Sequence, residues 1–417
     1  MRESIDVLAC DVAVIGGGPA GLTAAAALRN AGVSSVVVFE REEQAGGIPR
    51  HSDHTGYGIR DRRAVMTGPA YARALVAEAH DSGVDVRTGA MVTGWAEDGA
   101  PVVTSREGRY RVDAGAIVLA TGARERPRAA RMIPGDRPAG VYTTGQLQGL
   151  VHLQHRNVGT RAVVVGSELV SWSAVLTLRE AGCSTVLMAT QADRVETPAG
   201  LALVGRTAFG FPVARRARVA RIIGRDRVEA IELAHLDTGA RTRVACDTVI
   251  LTGDWVPDNE LSRLRGLDLG AGHRGPLVDM ALRTSAPGVF AAGNLLHPVD
   301  TADVAALDGR HVATEVRRWL AGDSDRRPAV RIVTEEPFAW VAPGLLRPGD
   351  PPPSRGRLLL WGTEHRALPR VVVEQDGTVL ARRRIPWPLA PGRIFRLPYG
   401  MVAAARADAG DVTIRLA

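Results

Sequence analysis

DVAVIGGGPAGLTAAAALRNAGVSSVVVFE, residues 11–40, contains a whole structural unit. DVAVIG (11–16) is almost continuously apolar, as a strand buried on both faces is. Leu22–Asn30 is an Ala-rich helical stretch, and SVVVFE (35–40) reads as a second strand. Between the first strand and the helix stands Gly16-Gly17-Gly18-Pro19-Ala20-Gly21, a G-x-G-x-x-G turn, and Glu40 closes the second strand 24 residues after Gly16. Glycines there allow a tight turn and the close approach of a pyrophosphate, while the helix start offers unpaired N–H groups and positive partial charge. An acid at the end of the next strand is placed to accept hydrogen bonds from ribose hydroxyls. Gly16, Gly18, Pro19, Ala20, Gly21 and Glu40 are therefore expected to hold a dinucleotide.

Working outward, residues 69–82 carry apolar side chains at helical spacing and lead to a strand at 84–87. Strand-like segments at 90–96, 101–104 and 109–112 suggest a small antiparallel layer, and AIVLATG (116–122) is another buried strand. Residues 161–190 repeat the opening unit: RAVVVG, a helix, then STVLMAT, about 150 residues further on. An internal duplication explains this economically. Strands follow near 217–223, 227–235 and 243–251; GVFAAGN (288–294) then leads into a helix over 301–320. After Asp323 the pattern changes to short alternating strands with a Pro-rich loop at 348–353 and a plausible hairpin turn at Asp376-Gly377. This last part, 330–417, reads as a β-rich docking or stabilising domain without site chemistry of its own.

Length and composition exclude a good deal. A chain of 417 residues with 45% hydrophobic and 23% charged residues is an ordinary globular protein of two or three domains. All 52 basic residues are Arg and none is Lys, which rules out Schiff-base, P-loop and general-base lysines. The net charge of +7 is spread along the chain with only 4% aromatics, so nucleic-acid binding is not expected. Cys10, Cys183 and Cys246 stand far apart, without C-x-x-C or metal-ligand spacing, so no redox dithiol, iron–sulfur cluster or zinc site is expected from this chain. H-x-x-H at His51 and His54 lacks a third ligand nearby, and no metal is expected there. The start Met-Arg-Glu-Ser and a short, Asp-containing apolar run read as neither a signal peptide nor a membrane span, and a cytoplasmic protein is expected.

The second copy of the turn is altered. Gly166-Ser167-Glu168-Leu169-Val170-Ser171 keeps only the first glycine, and Glu168 stands where the backbone should approach phosphate. Counting the same spacing from Gly166 reaches Thr190 rather than an acid. A carboxylate at the helix start is itself stabilised by the helix dipole and repels a pyrophosphate. Arg194 is a cation that could meet a 2′-phosphate. The residues leave two outcomes for NAD(P)H here: a competent site, or a fold retained without its ligand.

GGGPAG, Glu40-Arg41 followed by Gly46-Gly47, LATGARERP (119–127) and GVFAAGN occur in the order found in the two-dinucleotide-domain flavoproteins related to glutathione and thioredoxin reductases, and residues 10–320 resemble that family. The stretch ATGARER to GVYTTGQLQGL (120–150) resembles more closely the flavoprotein α/B subunits of sarcosine oxidase, opine oxidase and hydrogen cyanide synthase. The resemblance implies FAD as cofactor, with Arg41, Gly47, Ala120, Thr121, Gly122, Gly293, Asn294, Asp300, Thr301 and Ala302 added to its binding residues. Asn294 stands where the family usually has Asp, and still can hydrogen-bond a ribityl hydroxyl. His51 and His54, in a loop that borders the flavin ring in such folds, are the catalytic acid–base candidates.

The implied fold is α/β. It has an FAD-binding Rossmann-like domain in two segments (1–150 and 245–325), an inserted NAD(P)-type domain with a degenerate motif (151–244), and the β-rich C-terminal domain. The implied function is FAD-dependent oxidation or reduction, as an electron-transferring component of an amine- or amino-acid-type dehydrogenase. Its partners would be an iron–sulfur protein and an amine-oxidase-like flavoprotein subunit. The alternatives are a self-contained NAD(P)H-dependent reductase of a small molecule or quinone, and a non-catalytic flavin-bound scaffold.

Overall fold

The computed structural model describes residues 6–197, 210–323 and 327–417; the Met1–Ser4 start lies outside them. The chain divides into two compact units, one of Met1–Arg50, Gly56–Ala123 and Pro257–Ala417, the other of His51–Thr55 and Arg124–Val256.

In the first unit, Val12, Ala13 and Val14 of the strand Asp6–Ile15 are wholly buried, as their unbroken apolar run requires. This strand pairs in parallel with Val36–Phe39 on one side and Gly108–Leu119 on the other, with Val14 opposite both Val38 and Val118. Asp85–Arg87 extends the sheet beyond Val36–Phe39. The carboxyl ends of these strands therefore lie side by side, and Gly16, Glu40 and Ala120 follow directly from them, at the crevice where open α/β sheets bind ligands. The helix Pro19–Asn30 has Pro at its first position, where a missing N–H costs nothing, and ends before Gly32 at φ +89°. The helix Ala302–Leu320 crosses it closely: a Cβ on Gly309 would lie 2.3 Å from the Ala20 carbonyl oxygen.

Two expectations change here. Residues 109–112 and 116–122 do not form separate strands: Gly108–Leu119 is one. Its first half pairs antiparallel with Pro101–Ser105, and its second half parallel with Val289–Ala291. The neighbouring ten-residue strand holds it in line, and Gly115 lets it pass where a Cβ would meet the Asp11 carbonyl oxygen at 3.0 Å. The antiparallel segments are thus the edge of the main sheet and not a layer of their own.

The second unit has a parallel sheet in the order Val141–Thr143, Thr248–Leu251, Arg161–Val165, Ser184–Ala189, Val213–Ala214, and a three-stranded antiparallel sheet. Residues 243–251, read as a single strand, are divided between the two: Arg241–Ala245 is antiparallel and Thr248–Leu251 parallel. Asp247 makes the break. Its carboxylate accepts from the Thr160 and Arg161 N–H groups at 2.9 and 3.0 Å and from the Thr160 hydroxyl at 2.6 Å. Partial burial pushes this carboxyl up, but the hydrogen bonds outweigh it and hold it at about 2.

Residues 330–417 build a second core within the first unit, with Phe338, Leu358, Val373, Phe395 and Ile414 buried between a five-stranded and a three-stranded sheet. Asp376 and Gly377 join Arg370–Gln375 to Thr378–Arg384 with φ of +48° and +75°, the positive pair that a two-residue hairpin turn needs. Among the described residues no helix is long and apolar enough to cross a membrane.

Candidate functional site

The glycine turn of the first unit is backbone packed on backbone. A Cβ on Gly16 (φ +111°) would lie 2.4 Å from the Ala120 carbonyl oxygen, and one on Gly21 would lie 1.9 Å from that of Gly16. Gly47 (φ +63°) closes on the other side, its Cβ position 3.0 Å from the Gly18 Cα. Glu40 is 8% exposed and ties this loop together: its carboxylate accepts from the Gly17 N–H at 2.8 Å and the Glu42 N–H at 2.8 Å. One oxygen is used by each, leaving a further lone pair on both for hydroxyl donors. The helix that follows has no side-chain cap and no acid in its first turn, so its leading N–H groups and positive dipole end are available to an anion.

Thr121, Gly122 and Arg41 converge on Asp258, a residue the sequence did not single out. The Thr121 hydroxyl donates to the Asp258 carbonyl oxygen at 2.7 Å, the Asp258 N–H donates to the Gly122 carbonyl at 2.9 Å, and Arg41 pairs with the Asp258 carboxylate at 3.2 Å. Ala120 is buried, its N–H on the Ile15 carbonyl. These contacts hold the strand ends in place on the far side of the crevice from Glu40.

The segment Gly293–Ala302 meets the first helix directly, since a Cβ on Gly293 (φ +72°) would lie 2.7 Å from that of Ala20. Asn294 donates through Nδ2 to the Asp300 carbonyl at 2.9 Å, while its Oδ1 is buried without a partner among the described residues. Asp300 is 9% exposed, is held by Arg396 with both oxygens at 3.0 Å, and accepts from the Thr301 N–H at 2.8 Å. Thr301 bonds Asp303, whose carboxylate is also held by the Arg60 N–H at 3.0 Å and guanidinium at 3.2 Å. The start of the helix Ala302–Leu320, expected to offer its dipole to the flavin, therefore already carries a buried acid in its first turn.

His297 and Asp308 form a buried pair at 2.5 Å, and the Gly293 N–H reaches the same Asp308 oxygen at 3.3 Å. Burial pulls the His297 imidazole down, but Asp308 beside it outweighs this and holds it above the usual histidine range. Arg60, Asp308 and Arg396 gave no signal in the sequence, because an Arg or Asp in an arginine-rich chain points nowhere until the fold brings it to a partner.

His51 is buried and His54 half-buried, with His54 Nδ1 2.9 Å from the Thr55 carbonyl oxygen; both fall in the second compact unit. The three thiols are each pushed up to about 11, chiefly by burial, and are poor nucleophiles at neutral pH.

In the second unit, Glu168 stands just before the helix Leu169–Glu180 as its N-cap residue, one place earlier than the first turn predicted for it. Its carboxylate does not cap the backbone. It turns to Ser171 Oγ at 2.9 Å and Thr252 Oγ1 at 3.2 Å. A Cβ on Gly166 would lie 1.9 Å from Thr252 Oγ1 and 2.8 Å from Glu168 Oε2, and one on Gly253 would lie 1.9 Å from Glu168 Oε1. Arg131 fixes this loop, donating to the Thr252 carbonyl at 2.9 Å and the Gly253 carbonyl at 2.6 Å. The space beside the surviving glycine is thus taken by a carboxylate and two hydroxyls of the chain itself. Two more acids share this surrounding. Burial, with Glu168 as a further cause, raises Glu196 and pushes Glu125 up to about 6.

Residues 10–309 match the family described as pyridine nucleotide-disulphide oxidoreductase. The chain belongs to that family. Among curated relatives, the ferredoxin–NAD(+) reductase component of the benzene 1,2-dioxygenase system of Pseudomonas putida is 28% identical over 350 residues, which cover 80% of this chain and 78% of that protein. One of the opine oxidase subunits of Agrobacterium tumefaciens is 27% identical over 318 residues, 68% of this chain and 61% of that protein. A thioredoxin reductase of T. acidophilum shares the fold, with a TM-score of 0.63 at 20% identity over 76% of this chain and 99% of its own. The resemblance read from the motifs therefore holds, opine oxidase included.

As a pyridine nucleotide-disulphide oxidoreductase family member the chain is an FAD-dependent oxidoreductase, in a family whose usual electron donor is NAD(P)H. The first-unit residues fit that flavin nucleotide: the cradle of Gly16, Gly18 and Gly47 admits no side chain, the helix start is uncapped, and Asn294 Oδ1 awaits a donor. The Glu168 crevice does not fit a second pyrophosphate, since the anion would displace Glu168 from its two hydroxyls and stand beside three carboxylates.

Proposed function

We propose that the chain is the electron-transferring flavoprotein subunit of an amine- or amino-acid-type dehydrogenase, passing electrons through FAD to or from a partner protein. The observation that carries this reading is the Glu168 carboxylate seated beside Gly166 and Gly253, which closes the second crevice to NAD(P)H. FAD supplies the hydride and electron chemistry; the chain places and encloses it. In this reading Gly16, Gly18, Pro19, Ala20, Gly21 and Gly47 bind the pyrophosphate end, and Glu40 with Arg41 the adenosine ribose. Ala120, Thr121 and Gly122 border the cofactor, and Gly293, Asn294, Asp300, Thr301 and Ala302 serve the ribityl chain and ring.

The domain division proposed is 1–150 with 245–325 for FAD, 151–244 for the degenerate insertion, and 330–417 as the part that docks or stabilises. An iron–sulfur protein and the amine-oxidizing subunit are its proposed partners, in the cytoplasm. His51 and His54 are its proposed proton carriers. Similarity to the opine oxidase flavoprotein supports the reading.

A second reading, a self-contained NAD(P)H-dependent reductase, is supported by the similarity to a ferredoxin–NAD(+) reductase. An anaerobic visible titration of the FAD-loaded chain with NADH and then NADPH separates the two. The proposal expects the flavin to stay oxidised with both donors and to bleach with dithionite; fast bleaching by either nucleotide overturns it. Glu168→Gly removes the carboxylate, and bleaching by NADH is expected to appear or to quicken at least about tenfold, a change of ~1.4 kcal/mol in the rate-limiting interaction.

A further inference from the structure

A cavity of about 30 Å³ opens between the turn Ser354–Gly356 and the segment that follows Gly293, all within the first compact unit. Three arginines line it, Arg355, Arg357 and Arg396, together with the buried His297–Asp308 pair and an apolar wall that includes Leu296 and Leu359. The charges do not cancel. Arg396 is committed to Asp300, Asp303 is held by Arg60, and Asp308 is held by His297. Arg355 has no hydrogen bond or ion pair among the described residues, and Arg357 only stacks over Trp387, 4.9 Å from the ring centre. Burial and the charges of Arg396 and Arg60 lower the Arg355 guanidinium, against the opposing pull of Asp300 and Asp303.

The backbone points the same way. Arg355 sits at φ +61°, in the left-handed region, beside Gly356 at +62°. Glycine would hold that turn at less cost, so a long cation has been kept in a conformation that disfavours it, as happens at ligand sites.

We propose that this cavity binds the carboxylate of a small organic acid, with Arg355 as the principal contact, Arg357 as the second, and the apolar wall against the carbon chain. A guanidinium fork suits the two coplanar oxygens of a carboxylate. The volume suits them too, being room for about two water-sized atoms, whereas phosphate brings four oxygens. The inference does not depend on which donor reduces the flavin, and a chain that NADH bleaches leaves it standing.

The test is calorimetric titration of the FAD-loaded chain with pyruvate, methyl pyruvate and inorganic phosphate, with melting temperatures measured alongside. Pyruvate is expected to bind with a Kd of about 1 mM or tighter, and phosphate and the uncharged ester at least about tenfold more weakly. Arg355→Gly is expected to weaken pyruvate at least about tenfold while the melting temperature holds or rises, because glycine suits the turn. Arg357→Met is expected to weaken it severalfold. No pyruvate binding up to about 10 mM, unchanged affinity in Arg355→Gly, or phosphate binding as tightly as pyruvate would each overturn the proposal.

Discussion

Gly18 and Glu168 occupy the same place in two copies of one turn, and the difference between a hydrogen atom and a carboxylate decides what each copy can accept. At Gly18 the nearest obstacle to an added Cβ is the Gly47 Cα, 4.0 Å away, and the helix start beyond is uncapped. At Glu168 the side chain is hydrogen-bonded into the crevice and adds its charge to Glu125 and Glu196. Glu125 makes the cost of this cluster measurable. Burial above all, and Glu168 after it, lift its carboxyl from 4.5 to about 6, against the Gly145 N–H that donates to it at 2.9 Å. The folded chain therefore keeps a proton that the unfolded chain has released, and stability falls as pH rises from about 4.5 through about 6. Glu125→Gln keeps an acceptor for Gly145 and removes the charge. It should stabilise the protein by about 1–2 kcal/mol above pH 6 and flatten that part of the stability profile, read by urea unfolding across pH.

Among the elements, the pair Pro19–Asn30 and Ala302–Leu320 bears most directly on the flavin site, because one helix opens at the glycine turn and the other follows Gly293. Their contact is backbone to backbone at Gly309, whose added Cβ would stand 2.3 Å from the Ala20 carbonyl oxygen and 3.0 Å from the Ala24 nitrogen. Neither atom can rotate away. Gly309→Ala should force the helices apart, cost about 1–3 kcal/mol, and lower the flavin retained on purification, seen as a lower melting temperature and a smaller visible absorbance per chain. Gly309 was hidden in the sequence inside a good helical pattern, where a glycine reads only as a weak helix former. The strand boundaries were misread for a similar reason. Asp247 sits in an apolar run that alone supports one strand, and only the N–H groups of Thr160 and Arg161, nearly ninety residues earlier in the chain, end it.

At the scale of the molecule, the C-terminal strands reach the flavin segment through one ion pair. Arg396, on the strand Ile394–Pro398, holds Asp300 with both carboxylate oxygens, and Asp300's side chain is only 3% exposed. Removing the cation leaves a buried charge unpaired. Arg396→Ala should therefore destabilise the FAD-loaded protein by about 2–4 kcal/mol, the upper part of the usual range being discounted because Arg396 is partly solvated. Asp300→Asn, which removes the charge instead, should cost less, and the double variant should cost less than the sum of the two, as thermal unfolding of all four proteins would show. The residues after about 330 lie beyond the family match, so this pair links a part common to the family with one that is not.

The sequence by itself determined the nucleotide-binding unit, because strand, glycine turn, helix and terminal acid are neighbours in the chain and their spacing is set by local geometry. The same local logic exposed the altered second turn, since a Glu in a glycine position is visible without a fold. What only the tertiary structure decided are the pairings between distant residues: Asp258 under Arg41, His297 with Asp308, Arg60 with Asp303, Arg396 with Asp300, and the unpaired Arg355 at a cavity. Charges act through space and not along the chain, and in a protein whose 52 basic residues are all arginine, only position distinguishes one from another.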